Sequence, residues 1–114
     1  KEIVKNWIDE YGDEIKGIVC SDDSIQAIGA IDACKETGRS DIVIVASGNG
    51  KNGMDAVKKG DLFAITYQSA EADGALPIKV AADWFNGKKI NNIYYLSSNI
   101  ITEENVDKYM PAQW

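Results

Sequence analysis

The sequence of 114 residues contains no histidine and only two cysteines. Without histidine, the chain cannot supply a Ser-His-Asp triad, a Cys-His pair or the imidazole ligands of common zinc sites. Two cysteines are too few for a disulfide framework. Because Cys20 and Cys34 both fall in apolar stretches, we expect them to be buried free thiols. The sequence therefore predicts no catalytic residue, no metal site and no cofactor.

Excess basic charge and long apolar runs are also lacking. Lys and Arg total 12 against 18 acidic residues, a net charge of −6, and no basic patch is present to bind nucleic acid. No apolar run reaches the roughly eighteen residues of a membrane-spanning helix. The remaining composition, 45% apolar and 26% charged, is typical of one soluble globular domain.

Helical and strand-like patterns alternate along the chain. We predict helices over 1–11, 24–36, 54–59 and a longer stretch that ends near residue 85. Strands are predicted over 15–20, 41–46, 62–67 and 90–98, and a helical turn over 102–109. The continuously apolar strand over 41–46 is expected to be buried on both faces. This order predicts an α/β fold with a mostly parallel sheet and helices on its faces.

Polar segments follow the first three predicted strands, and they are the strongest functional signal. These segments are Ser21-Asp22-Asp23, Ser47-Gly48-Asn49-Gly50 and Gln68-Ser69. In an open parallel sheet the carboxyl ends of the strands share one edge, and ligands bind there. We therefore expect the three segments to lie side by side.

The first two segments also have simpler explanations. Ser and Asp are preferred at helix N-termini, so one of Ser21, Asp22 or Asp23 is expected to cap the helix that follows. A catalytic carboxylate pair would need a partner that shifts a pKa, and the calcium-loop spacing D-x-D-x-D-G is absent. The stretch SGNGKNG lacks the G-K-[ST] of a P-loop, and we interpret it as a flexible turn or as a ligand contact through Asn49.

The large apolar side chains are expected in the core. This prediction covers Trp7, Trp84 and Trp114, and Trp84 shares an apolar helical stripe with its neighbours. Pro77 is expected in the first turn of the last long helix, since within the helix it would remove a backbone hydrogen bond.

Several motifs occur in an order that resembles one known family. The stretch IVCSDDSIQAIGAIDACKETGRSDIVIVASGNG is similar to a strand, then Asn-Asp-x-Met-Ala-x-Gly-Ala, a helix, a strand and Gly-Phe-Asp-Gly. GDLFAITYQSAEADGALPIKVAADWFNGKKI resembles Gly-x-Leu-x-Ala-Thr-x-x-Gln, a long helix and Asn-Gly-x-x-Ile, and IITEENVDKY resembles a closing Ile-Thr-x-Glu-Asn-Val-Asp. These are motifs of the C-terminal lobe of periplasmic sugar-binding proteins of the ribose-binding type, in a superfamily that includes LacI-type effector domains.

The resemblance implies a partial type I periplasmic-binding-protein lobe, with three α/β/α layers around a mostly parallel sheet. Residues 1–114 would be a C-terminal-lobe fragment, and about 69–92 would belong to the other lobe of the intact protein. The family's ligand-contacting positions fall on Asp23, Asn49 and Gln68, and Asp22 could take the place of Asp23.

The resemblance also implies a function. The chain would bind a sugar or sugar-like polar molecule for an ABC importer without catalysis, with the ABC permease as its partner. It would be periplasmic or extracellular, and in a Gram-positive host a membrane-associated lipoprotein. Because strands of the lobe are missing, we expect an exposed sheet edge, self-association of the fragment and weak ligand binding by one wall of a cleft.

Two other functions stay open. The effector-binding domain of a LacI-type regulator would have a helix-turn-helix before Lys1, whereas a transport protein would have a signal or lipoprotein sequence there. The ITEENVDKY ending favours transport. A small flavodoxin-like enzyme or receiver domain is disfavoured by the missing histidine and phosphate loop.

Overall fold

Four strands and four α-helices alternate in the fold, seen in a computed structural model that describes residues 1–112. The helices are α1 (Glu2–Tyr11), α2 (Gln26–Glu36), α3 (Lys51–Lys58) and α4 (Ala70–Phe85). The strands are β1 (Gly17–Cys20), β2 (Val43–Ser47), β3 (Ala64–Thr66) and β4 (Ile100–Ile101). Short 3-10 helices span Gly12–Glu14 and Val106–Tyr109, the second within the predicted helical turn. Trp114 lies outside the described residues.

The sheet has the strand order β1-β2-β3-β4, with the first three strands parallel and β4 antiparallel to β3. This arrangement confirms the predicted α/β class and the mostly parallel sheet. In the register, Cys20 lies beside Ala46, and Ala46 beside Ile65. The carboxyl ends of the three parallel strands therefore meet at one edge, as the sequence analysis required.

The core lies on one face of the sheet. Ile18, Cys20, Ile44 and Ile65 are buried there, and α2 and α3 supply further apolar side chains to the same cluster. Both cysteines are buried free thiols, as predicted, and burial raises the pKa of each thiol. This packing fixes the starts of α2 and α3 against the strand ends that precede them.

The opposite face of the sheet is largely open. Val19 is 84% exposed and Val43 is 47% exposed, because no helix within residues 1–112 covers these side chains. The expectation that the strand over 41–46 is buried on both faces is therefore wrong. The strand β2 has an alternating burial pattern, with Ile44 and Ala46 buried and their neighbours at least partly accessible.

The segment 90–98 does not form the predicted strand. Residues 91–99 are exposed, and the only strand that follows α4 in the described chain is the two-residue β4. The β-forming sequence is present, but a strand needs a neighbour with which to exchange backbone hydrogen bonds. Here the segment instead runs alongside α4, with which it lines an apolar groove.

Two predictions about helix α4, the position of Pro77 and the burial of Trp84, are wrong. Its start is set by Ser69, whose hydroxyl accepts a 3.2 Å hydrogen bond from the N–H of Ala72, so Pro77 lies inside the helix and not in its first turn. Trp84 is 62% exposed on α4, a helix that contains no buried residue, and Trp7 on α1 is 46% exposed. Neither tryptophan is in the core.

No helix within residues 1–112 has the length and apolar character to cross a bilayer.

Candidate functional site

A polar cavity of about 320 Å³ lies at the carboxyl edge of the sheet. Its lining is drawn from the segments after β1, β2 and β3: Ser21, Asp22, Asp23, Ser24, Ser47, Gly48, Asn49, Gly50 and Gln68. The structure thus brings together all four residues that the sequence analysis singled out as candidate ligand contacts. The parallel sheet is the cause, because each segment leaves its strand at the same edge.

Asp22 stabilises the first turns of α2. Its Oδ1 accepts hydrogen bonds from the backbone N–H groups of Ile25 at 2.6 Å, and of Gln26 and Ser24 at 3.2 Å each. These donors lower the pKa of the Asp22 carboxyl, with Ile25 the largest contributor. Ile25 is the N-cap residue of α2 and makes no side-chain cap hydrogen bond, so the N-cap predicted among Ser21, Asp22 and Asp23 is not formed. Asp22 supports the helix from the preceding turn instead, through the N–H of its first residue, Gln26.

Asp23 is directed into the protein. The residue is only 3% exposed; its Oδ2 accepts a 2.8 Å hydrogen bond from the N–H of Gly50, and its Oδ1 accepts a 3.2 Å bond from the hydroxyl of Ser24. Burial raises the pKa of this carboxyl despite the two donors. Two adjacent acids therefore have different surroundings, since one bonds to the turn before α2 near the surface and the other is buried against a loop.

The glycine-rich stretch after β2 packs directly on the Asp23 carboxylate. A Cβ atom placed on Gly48 would lie 2.6 Å from Asp23 Oδ1, and one on Gly53 would lie 2.0 Å from Oδ2. A Cβ on Gly50 would lie 2.4 Å from the hydroxyl oxygen of Ser24. The glycines of SGNGKNG therefore make room for a buried acid, a role that the sequence analysis missed. The glycine spacing was visible, but its partner lies on another strand end.

Asn49 and Gln68 connect the second and third segments. Asn49 is 2% exposed, and its Oδ1 accepts a 3.0 Å hydrogen bond from the backbone N–H of Gln68. Beneath them, the Ser47 and Thr66 hydroxyls are 2.9 Å apart, and Thr66 Oγ1 also accepts a 3.3 Å bond from the N–H of Gly48. The strand ends are thus held together by the protein's own hydrogen bonds.

The accessible groups at this edge are hydroxyl, carboxylate and amide groups. Ser21 and Gln68 are exposed, and Asp22 and Ser24 are partly exposed. Tyr67 points away from the cavity and packs on Tyr109, with ring centroids 5.0 Å apart. Groups of this kind hold a polar molecule by exchanging hydrogen bonds. Among residues 1–112 no group of three Asp, Glu or Cys residues is placed to hold a metal ion.

Comparison with known proteins agrees with this architecture. The family model for the periplasmic binding protein domain matches residues 1–89. The xylitol-binding protein of Mycolicibacterium smegmatis is 33% identical over 106 residues, which cover 91% of this chain and 30% of that protein. The ribose import binding protein of Salmonella typhimurium is 24% identical over 102 residues, covering 90% of this chain and 34% of that protein.

Solved structures give the same result. An ABC transporter solute-binding protein from Bacillus halodurans with bound myo-inositol superposes with a TM-score of 0.80 at 28% identity, covering 95% of this chain and 37% of that chain. A solute-binding protein from Actinobacillus succinogenes with bound D-allose shares the fold, with a TM-score of 0.82 at 23% identity. The chain spans about a third of the length of the relatives it matches. The family model covers most of the sequence, and the chain belongs to the periplasmic binding protein family.

Proposed function

We propose that this chain contributes one wall of a binding site for a sugar or sugar-like polyol, in the solute-binding protein of an ABC importer. The observation that carries the proposal is the junction of three polar strand ends around one cavity of about 320 Å³. Relatives at 33% and 28% identity are a xylitol-binding protein and a structure with bound myo-inositol, both of which hold uncharged polyols.

The chemistry of this edge favours neutral molecules rich in hydroxyl groups. Asp22 directs one oxygen at α2, and its Oδ2 accepts no hydrogen bond from residues 1–112, so it is placed to accept one from a ligand hydroxyl. Ser21 Oγ donates to Gln26 Oε1 at 3.0 Å, and Gln68 Nε2 donates to Asp73 Oδ2. The Ser21 hydroxyl oxygen, Gln68 Oε1 and the second amide hydrogen of Gln68 are left for a ligand. The partly exposed carboxylate of Asp22, together with a net charge of −6, disfavours anionic ligands. The site has no activated nucleophile, in keeping with binding without catalysis.

We further propose that the intact protein has two lobes and that about 69–92 belong to the other lobe. In support, α4 and the segment 90–96 line an apolar groove of about 680 Å³ that is separate from the polar edge. Leu76, Val80 and Trp84 contribute to this groove, which offers few groups that a sugar could hydrogen-bond. A surface of this kind is suited to packing against the rest of a lobe.

Membership in the periplasmic binding protein family implies a location outside the cytoplasm. We propose that the intact protein is periplasmic or extracellular, that in a Gram-positive host it is a membrane-associated lipoprotein, and that its partner is an ABC permease. The relatives named above are a xylitol-binding protein, a ribose import binding protein and an ABC transporter solute-binding protein. They support this assignment over a LacI-type regulator.

Calorimetry on two proteins tests the proposal. Xylitol, myo-inositol and ribose are titrated into the 114-residue chain and into the two-lobe protein expressed from the complete gene. We expect the two-lobe protein to bind one of them with a Kd on the order of micromolar, which corresponds to a binding free energy of about −8 kcal/mol. The isolated chain should bind at least about 100-fold more weakly, since one wall buries little of a sugar.

Two results of the calorimetry would contradict the proposal. If the two-lobe protein binds none of these three compounds, the assigned ligand class is wrong. Micromolar binding by the isolated chain would show that a second wall is not needed.

A pair of variants of the two-lobe protein adds a test of the site. Gln68→Ala removes an exposed side chain of the cavity lining and should weaken binding. Lys58→Ala removes an exposed side chain of α3 outside the cavity lining and serves as the matched control.

A further inference from the structure

We propose that Asp23 is a positioning residue that sets the loop 48–50, and through it Asn49 and Gln68, and that it does not itself contact the ligand. The role of this loop in ligand binding rests on the proposed function. The arrangement of the loop does not, because it is held within the chain. The neighbouring Asp22 is then the acid that faces the ligand.

The oxygens of Asp23 are already engaged. Oδ2 accepts the N–H of Gly50 at 2.8 Å, and Oδ1 accepts the hydroxyl of Ser24 at 3.2 Å, in a residue only 3% exposed. A carboxylate that turned toward the cavity would leave the N–H of Gly50 without this partner in a buried setting, which is costly. The side chain is therefore held toward the loop.

Close packing fixes the same orientation. Cβ atoms placed on Gly48 and Gly53 would fall 2.6 Å and 2.0 Å from the two carboxylate oxygens, so only hydrogen atoms separate the loop and α3 from Asp23. The acid and the glycines are complementary, and neither can move without the other. A residue that served the ligand alone would not need glycines on its inner side.

The loop passes this constraint on to the third strand end. Asn49 lies between Gly48 and Gly50, both of which contact Asp23, and its Oδ1 accepts the backbone N–H of Gln68 at 3.0 Å. The path from Asp23 through Gly50 and Asn49 to Gln68 thus crosses all three polar segments. Displacing Asp23 should release Gln68, although the two side chains share no direct hydrogen bond in the described structure.

Amide hydrogen exchange, read residue by residue by NMR on the 114-residue chain without ligand, tests this coupling. In Asp23→Ala, exchange at the N–H of Gly50 and at the N–H of Gln68 should both accelerate by at least about tenfold. Asp23→Asn keeps an acceptor for Gly50, so both amides should stay within about threefold of the wild type. The N–H of Val43, which bonds to Lys16 O at 3.0 Å, is the internal control and should not change.

Three results would overturn the inference. Faster exchange at Gly50 alone would mean that the loop does not couple to Gln68. Equal acceleration at Val43 would mean that Asp23 supports the whole fold and positions nothing in particular. If Asp23→Ala does not fold, Asn49→Ala is decisive, since it must release Gln68 while Gly50 stays protected. Loss of protection at both amides would refute the proposed order of the path.

Discussion

The carboxylate of Asp23 and the backbone N–H of Gly50, 27 residues apart in the chain, are joined by a buried 2.8 Å hydrogen bond. This bond ties the end of β1 to the end of β2, and Asn49 extends the connection to β3 through Gln68. The polar edge is consequently preorganised before any ligand arrives. Preorganised groups lose less conformational freedom on binding, which favours affinity.

Replacing Asp22 should weaken α2. Asp22→Ala removes the acceptor for three backbone N–H groups, and we expect it to lower the free energy of unfolding by about 1 kcal/mol. Urea denaturation followed by far-UV circular dichroism measures the change. Asp22→Asn retains an acceptor and should cost less. Equal stability of Asp22→Ala and the wild type would show that these bonds do not support the helix.

The two acids should respond oppositely to pH. The pKa of Asp22 is lowered in the folded state, so its stabilising contribution is present above its unfolded value and is lost as the pH falls toward the lower folded pKa. The pKa of Asp23 is raised by burial, so its contribution is most favourable below the ordinary value of 3.8 and declines as the pH rises through the folded pKa.

Asp23→Asn isolates this second effect. The amide keeps an acceptor for Gly50 and cannot ionise, so the variant should gain stability relative to the wild type as the pH rises from about 3 to about 7. Chemical denaturation at several pH values measures the difference. A difference that is constant with pH, or that shrinks as the pH rises, would contradict the direction of the Asp23 shift.

Two glycines in helices should behave in opposite ways when changed to alanine. Gly53→Ala on α3 would place a Cβ 2.0 Å from Asp23 Oδ2, so it should destabilise the protein despite the better helix propensity of alanine. Gly74→Ala on α4 meets nothing within 4 Å and should stabilise that helix by about 0.5–1 kcal/mol. Denaturation curves of the two variants, measured together, provide the comparison. Stabilisation by Gly53→Ala would mean that the contact with Asp23 is looser than the structure shows.

The exposed edge of the sheet should drive self-association of the isolated chain. Among residues 1–112, β1 pairs with β2 alone, and Val19 on this strand is 84% exposed. Val19→Lys places a charge on this edge strand, at the open face of the sheet, and should shift the chain toward monomer in sedimentation velocity at about 100 μM. Trp84→Lys removes an exposed apolar group from α4, at a distance from β1, and is the matched control. A larger shift with Trp84→Lys would assign association to the α4 groove.

Much of the edge was predictable because it follows from topology. The alternation of strands and helices placed Asp22, Asn49 and Gln68 at one edge, and the structure brings them together. Which of the two acids accepts the backbone N–H groups before α2 was not predictable, since Asp22 and Asp23 are adjacent and chemically identical. Only the position of the loop that packs on Asp23 distinguishes them.

Most errors in the fold predicted from the sequence share a physical cause. The sequence patterns of Trp84, of Val43 on β2 and of the segment 90–98 are those of buried elements. In the structure Trp84, Val43 and residues 91–98 are exposed. Hydrophobic patterning predicts which surface a residue is suited to cover, but not whether the covering element is present among the residues described. Pro77 was misplaced for a local reason, because the Ser69 cap begins α4 earlier than the proline alone suggests.

The most direct test of the central claim is a ¹H–¹⁵N NMR titration of the 114-residue chain with xylitol, myo-inositol and ribose, each to about 100 mM, since one wall should bind only in roughly the millimolar range. We predict saturable shift changes confined to residues 21–24, 47–50 and 68, with none at Leu76, Val80 or Trp84 in the α4 groove. Shift changes centred on the groove, or none at the polar edge with any of the three compounds, would show that the polar edge is not the ligand-binding wall.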